Sequence, residues 1–196
     1  MSTVRIVLAT AILVASCASC ADSTGAATPD NSAKPSATTS VSPTHAAPPY
    51  LASYTSAERA AYDAALTAHA AFVEQDRQFA AAGKPTQRAA AFYRRNSIDW
   101  VNDWASLAQL ANNHVIVRGR TIVKWVRPLT IEVGDPGAEV VVLRRCVDSS
   151  GLVVTQNGKP LGQPNLKEPH VFRVRLEKRA TETWWRVGTA KQGAPC

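Results

Sequence analysis

NNHVIVRGRTIVKWVRPLTIEV, residues 112–133, is where a helical repeat gives way to an alternating one. Before Asn112 the apolar residues recur every three or four positions, and after Asn113 they recur every second position. The first spacing lines one side of a helix and the second lines one face of a strand. A chain that changes period once, from helices to strands, belongs to the α+β class, with helices collected on one face of an antiparallel sheet.

Upstream of this switch, Thr55-Ser56-Ala57-Glu58 has the spacing of a capping box and predicts a helix start. Tyr62, Ala65, Leu66, His69, Phe72, Val73 and Phe79 continue as one helical stripe, and Gly83 and Pro85 end it. A second helix is expected over 86–94. A third is expected over 98–111, with Trp100, Trp104, Leu107 and Leu110 on or near one face. Downstream, strands are expected at 114–119, 121–133, 139–148, 152–155, 170–179 and 183–190. Asp135-Pro136-Gly137, Asn157-Gly158 and Ala180-Thr181-Glu182 are turn signals between them, and Asn-Gly between apolar runs marks a tight hairpin.

The flank that precedes the helices has a different composition. Residues 1–16 carry one arginine, Arg5, then the apolar run IVLATAILVAS, the pattern of a secretory signal peptide. The run is too short to span a bilayer, which takes roughly 20 apolar residues. It closes on Val14-Ala15-Ser16-Cys17, which resembles the bacterial lipobox; the resemblance implies a diacylglycerol- and palmitate-bearing anchor on Cys17. Cys20 is a second cysteine beside it, with a poorer lead-in. From residue 17 to 52 the chain is rich in Ala, Ser, Thr and Pro, with prolines at 29, 35, 43, 48 and 49, and reads as a disordered tether. The expected organisation is therefore a signal peptide (1–16), a lipid-anchored linker (17–52) and one α+β domain (53–196). The expected location is the extracytoplasmic face of the cell membrane.

The order of elements in residues 53–196 resembles the NTF2-like, or cystatin-like, cone fold. The chain is also similar to a broad group of small lipoproteins from high-GC Gram-positive bacteria or their phages. The residues that carry the resemblance are Tyr62, the strand Val140–Asp148 with Cys146-Val147-Asp148, the late Trp185-Arg186-Val187 and Cys196. A shared fold transfers no activity.

The 196 residues carry a net charge of +7, and nearly all of it lies in the domain: residues 53–196 hold 20 Lys and Arg against 13 Asp and Glu. Such a field attracts anionic lipid, wall polymer or an acidic envelope protein. Export sets nucleic acid aside. Alternation puts Arg118, Arg120 and Lys124 on one strand face and Arg173, Arg175 and Arg179 on another. If those strands are neighbours, one sheet face carries six cations, with Trp125 and Trp184 near these rows.

Cys146 and Cys196 are the two cysteines of the domain, and in an exported chain they are expected to pair as a disulfide. The alternative, a thiol nucleophile at Cys146, needs a histidine, for which His114 and His170 are loose candidates. His69 with Asp76 on the first helix invites comparison with cone-fold enzymes and carriers of the SnoaL and ketosteroid-isomerase type. A hydrogen-bonded core histidine is the plainer reading. Asp99 and Asp103 lie four apart and form either an acid/base pair or a polar outer helix face.

The histidines at 45, 69, 114 and 170 have no metal-binding spacing, no cofactor motif is present, and none of the nucleotide or nucleophile-elbow signatures occurs. The sequence thus points to a non-enzymatic binding module. A cone-fold enzyme or ligand carrier is one rival reading, and a phage lipoprotein of superinfection exclusion is another.

Overall fold

The computed structural model describes residues 48–134, 137–162 and 168–196. The expected signal peptide, Cys17, Cys20 and the tether up to residue 47, together with Asp135 and Pro136 of the expected turn, lie outside the described residues. Residues 48–53 belong to one unit and hold a 3-10 turn, Pro49–Leu51. Tyr54–Cys196 belong to the other.

That second unit is mixed α+β. Among the described residues three helices come first: α1 (Ser56–Ala82), α2 (Gln87–Asn96) and α3 (Trp100–Asn112). Eight strands follow: β1 (Val115–Gly119), β2 (Ile122–Val133), β3 (Glu139–Asp148), β4 (Leu152–Gln156), β5 (Lys159–Pro160), β6 (His170–Lys178), β7 (Arg186–Val187) and β8 (Lys191–Pro195). No described helix is long and apolar enough to cross a membrane.

Local chemistry fixes the helix ends. The backbone N–H of Glu58 donates to Thr55 Oγ1 at 3.2 Å, and the Thr55 N–H donates to Glu58 Oε2 at 2.7 Å. This reciprocal pair satisfies donors that the first turn leaves open. Gly83 closes α1 in the left-handed region, φ 63°, where a residue without Cβ meets little penalty. Thr86 caps α2 by accepting from the Ala89 N–H at 3.2 Å.

The strands form two antiparallel sheets rather than one. β1, β4 and β5 make a three-stranded sheet in that order; β2, β3, β6 and β7 make the larger one, with β8 added beside β6. The β4–β5 hairpin turns on Asn157 and Gly158, both at positive φ (51° and 76°), as a tight Asn-Gly turn requires. The strand expected over 183–190 shrinks to Arg186–Val187, because the chain leaves the sheet at Gly188. There its N–H donates to Arg175 O, and it re-enters at Lys191 as β8.

Alternation along the larger sheet gives each strand an inner and an outer row. Val141, Leu143, Val147, Phe172, Val174 and Leu176 are buried on the inner face, and α1 supplies Ala65, His69 and Val73 to the interior. A cluster of aromatic rings joins the helices: Phe79, Ala89, Tyr93 and Leu107 are buried with Phe72, Phe92, Trp100 and Trp104 against them. Phe72 and Phe92 meet at 5.2 Å between centroids.

Among the described residues β2 pairs with β3 alone and stands at the edge of this sheet. Its twelve residues are interrupted by two register shifts, at Lys124 and Leu129, and by Pro128.

Candidate functional site

The outer face of the larger sheet assembles the clearest chemical feature. Arg127 on β2 is in register with Arg144 on β3, Arg144 with Arg173 on β6, and Arg173 with Lys191 on β8. All four are exposed. With strands about 4.8 Å apart, this places one cation per strand in a row about 15 Å long. Among the described residues no ion pair neutralises Arg144, Arg173 or Lys191.

Like charges directly opposite one another across a ladder destabilise a sheet, so folding alone does not account for the row. The indole of Trp125 partly offsets the repulsion. The guanidinium carbons of Arg127 and Arg144 lie 5.7 and 5.9 Å from its ring centroid, so one indole meets both cations.

The row is narrow. One step along the strands, Arg175 widens it but faces Glu177 at 3.7 Å. A further step brings the register row Glu132, Val140 and Glu177, which carries two carboxylates. On the opposite side Lys124 is held by Asp148 at 3.2 Å, and the Ser150 hydroxyl and N–H keep that carboxyl below its usual range. A strip of positive charge thus crosses the strands between two flanks that contain acids.

Of the six cations singled out by sequence, Arg173 and Arg175 share this face. Arg118 lies on β1 and Arg120 just beyond it; β1 belongs to the other sheet, so these two are not neighbours of the β6 pair. Lys124 is two strands from β6 and sits at a register shift, and Arg179 lies past the end of β6. The six do not form one stripe, because β1 and β6 are never paired. The structure brings in Arg127, Arg144 and Lys191 instead. Period-2 alternation tells which face a residue takes, but only strand pairing tells which residues meet. Arg144-Arg145 was the available hint, since adjacent strand residues point to opposite faces.

Arg145 accordingly points inward, where it is 2 % exposed. Its Nη1 lies 3.0 Å from His69 Nε2. A guanidinium only donates, so Nε2 accepts and the imidazole is neutral. Burial and then the charge of Arg145 hold the His69 pKa well below its usual value, and burial pulls Arg145 down to about 9.

Asp76, seven residues along α1, accepts from Tyr93 Oη at 2.5 Å. Burial raises it to about 6, against the lowering effect of that bond. Asp103 accepts from Ser97 Oγ at 2.5 Å and Asp99 from the Thr189 N–H at 3.2 Å. These aspartates are not a solvated outer helix face: they tie the start of α3 to the chain between β7 and β8. The cavity between His69, Asp76, Asp103 and Arg145 measures about 30 Å³, room for roughly a water or two and not for a substrate.

The sulfurs of Cys146 and Cys196 are bonded at 2.03 Å, joining β3 to the residue after β8. Cys146 therefore offers no thiol, and His114 and His170 serve elsewhere. The His114 carbonyl accepts from the Asn157 N–H, and His170 Nδ1 contacts Glu168 O at 2.8 Å. Trp184 lies against Arg95 rather than near the cationic row.

No family model matches this chain, and no curated protein matches it. Among solved structures, the crystal structure of the intermembrane space region of chloroplast protein ARC6 aligns with 66% of this chain and 96% of that chain. The identity is 9% and the TM-score 0.40, a likeness too slight to carry an argument about fold or function.

Proposed function

We propose that this chain is a membrane-anchored extracytoplasmic lipoprotein whose α+β domain, of NTF2-like cone type, is a non-enzymatic module that binds a linear polyanion. The observation that carries this reading is the exposed row Arg127–Arg144–Arg173–Lys191, four cations in register across four strands. Like charges in register have a cost that an anion lying across them offsets. The lipobox-like Val14–Cys17 and the Pro-rich stretch after it support the anchor and tether.

The shape of the strip favours a polymer over a bilayer. A bilayer pressed on this face would also meet Glu132, Glu177 and Asp148, whereas an extended chain of repeated phosphates or carboxylates, such as a wall polymer, can follow the row and avoid them. The volume beside His69 is about 30 Å³, so this reading places no substrate on that histidine.

The test is binding of the purified protein to linear polyphosphate, followed by fluorescence anisotropy at 50 and 300 mM salt. A Kd that weakens at least tenfold over that range, and is lost in Arg127→Gln/Arg144→Gln/Arg173→Gln, is the expected result. No binding to polyphosphate, or binding that the triple variant retains, overturns the reading. Association only with vesicles containing phosphatidylglycerol overturns it in favour of a lipid surface.

A further inference from the structure

A second space, a trough open to solvent of about 580 Å³, lies away from the sheet's outer face, with a volume in the range of small-molecule sites. One wall is α1, which contributes Ala64, Ala68 and Ala71. The other walls are Phe92 of α2 and the indoles of Trp184 and Trp185, just before β7. Because α1 lines it from Ala64 to Gln75, the cavity runs along the helix for about 16 Å at 1.5 Å per residue. That is close to the thickness of one leaflet of a bilayer's hydrocarbon core, about 15 Å, which is the reach of a single acyl chain.

The walls are mainly apolar, with Thr67, Gln75, Asn96 and Thr183 as the polar residues among them. Gln75 and Asn96 border the cavity, but their amide groups already donate within the protein, to Gln78 Oε1 at 3.1 Å and Phe92 O at 3.0 Å. The Trp184 indole N–H donates to Arg95 O at 3.2 Å. Charge stands beside one wall, where the exposed Arg95 guanidinium lies 4.8 Å from the centroid of the Trp184 ring. A guanidinium in this position offers forked donors to a carboxylate or phosphate.

We infer that this cavity binds a single-chain anionic amphiphile, its acyl chain laid along the alanines of α1 and its head group on Arg95. Neither a compact polar metabolite nor a neutral sterol satisfies both the elongated apolar wall and the cation beside it. The inference does not rest on the polyanion reading, since the two sites share no residue.

The experiment uses the full-length chain carrying Cys17→Ser, which removes the acylation candidate. The probe is 11-(dansylamino)undecanoic acid, read by energy transfer from tryptophan. Saturable transfer is expected, displaced by palmitate and by hexadecyl phosphate and about tenfold less well by hexadecanol. Ala68→Trp, which fills the trough, abolishes it, and Ala71→Phe gives an independent test should the first variant misfold by circular dichroism. Arg95→Gln removes the preference for the two anionic competitors over hexadecanol. The triple arginine variant of the sheet face binds the probe normally. Absence of saturable transfer, or transfer that survives both filling substitutions, overturns the inference. Equal displacement by hexadecanol and palmitate in the unmodified protein overturns the role of Arg95.

Discussion

Arg145 of β3 donates to His69 of α1 inside the domain, Nη1 to Nε2 at 3.0 Å, so that the sheet and its covering helix are joined by a cation and a neutral imidazole. Protonating His69 would place two cations side by side away from water. Its folded pKa is depressed below the unfolded value of about 6.5. The stability it contributes is therefore present above that value and is lost as pH falls below it. Urea unfolding of the protein and of His69→Gln, followed from pH 7.5 to 5, checks this. The unmodified protein loses stability more steeply over that interval, and equal slopes would refute the assignment.

Asp76 titrates with the opposite sign. Its folded value, about 6, lies above the unfolded value of about 3.9. Between these two values the folded state holds a proton that the unfolded state has released, so stability falls as pH rises from 4 to 6 and is level above. The full shift corresponds to about 2–3 kcal/mol. Asp76→Asn keeps a group able to accept from Tyr93 and removes the titration. At pH 7 it is expected to be more stable than the parent by about 1–2 kcal/mol, measured by chemical denaturation.

The Cys146–Cys196 bridge closes a loop across a sequence separation of 50. Cys146→Ala/Cys196→Ala is expected to lose about 3–4 kcal/mol. It also frees β8 and with it Lys191, so polyphosphate binding weakens more than it does in Lys191→Gln. Equal weakening in the two variants would show that β8 stays in place without the bond.

Gly119 approaches the β4 start so closely that a Cβ would stand 2.2 Å from Gly151 O, and its φ is +91°. Gly119→Ala is expected to lower stability by about 2 kcal/mol or more. Thermal unfolding within a degree of the parent would contradict the close contact.

Thr55→Ala removes one half of the capping box of α1 and is expected to cost about 1 kcal/mol, read in the same denaturation series.

What could be read from the sequence followed from local rules. The Thr55–Glu58 box, Gly83, Thr86 and the Asn157-Gly158 turn each act within a few residues, and the structure places each at the expected boundary. The α+β class followed from the change of period near Asn113. Pairing was not legible: nothing within β1 reveals that it joins β4 rather than the large sheet, and so Arg118 was grouped with Arg173. The inward turn of Arg145 was hidden for a related reason. A buried guanidinium runs against hydrophobic patterning, and the groups that meet it include His69, 76 residues away, and the ring of Phe172 on the neighbouring strand. Asp99 was hidden in the same way, since the Thr189 N–H it accepts from is 90 residues distant.

The interruptions in β2 bear on crowding. A long unpaired margin is a template on which a neighbouring molecule can add its own strand, and molecules confined to a surface meet one another far more often than in solution. Pro128 withholds one donor from that margin, and the extra residues at Lys124 and Leu129 throw its remaining groups out of step. Copies of this protein can therefore meet without their sheets zipping into a ribbon, and Pro128→Val with either extra residue deleted would make the protein prone to it.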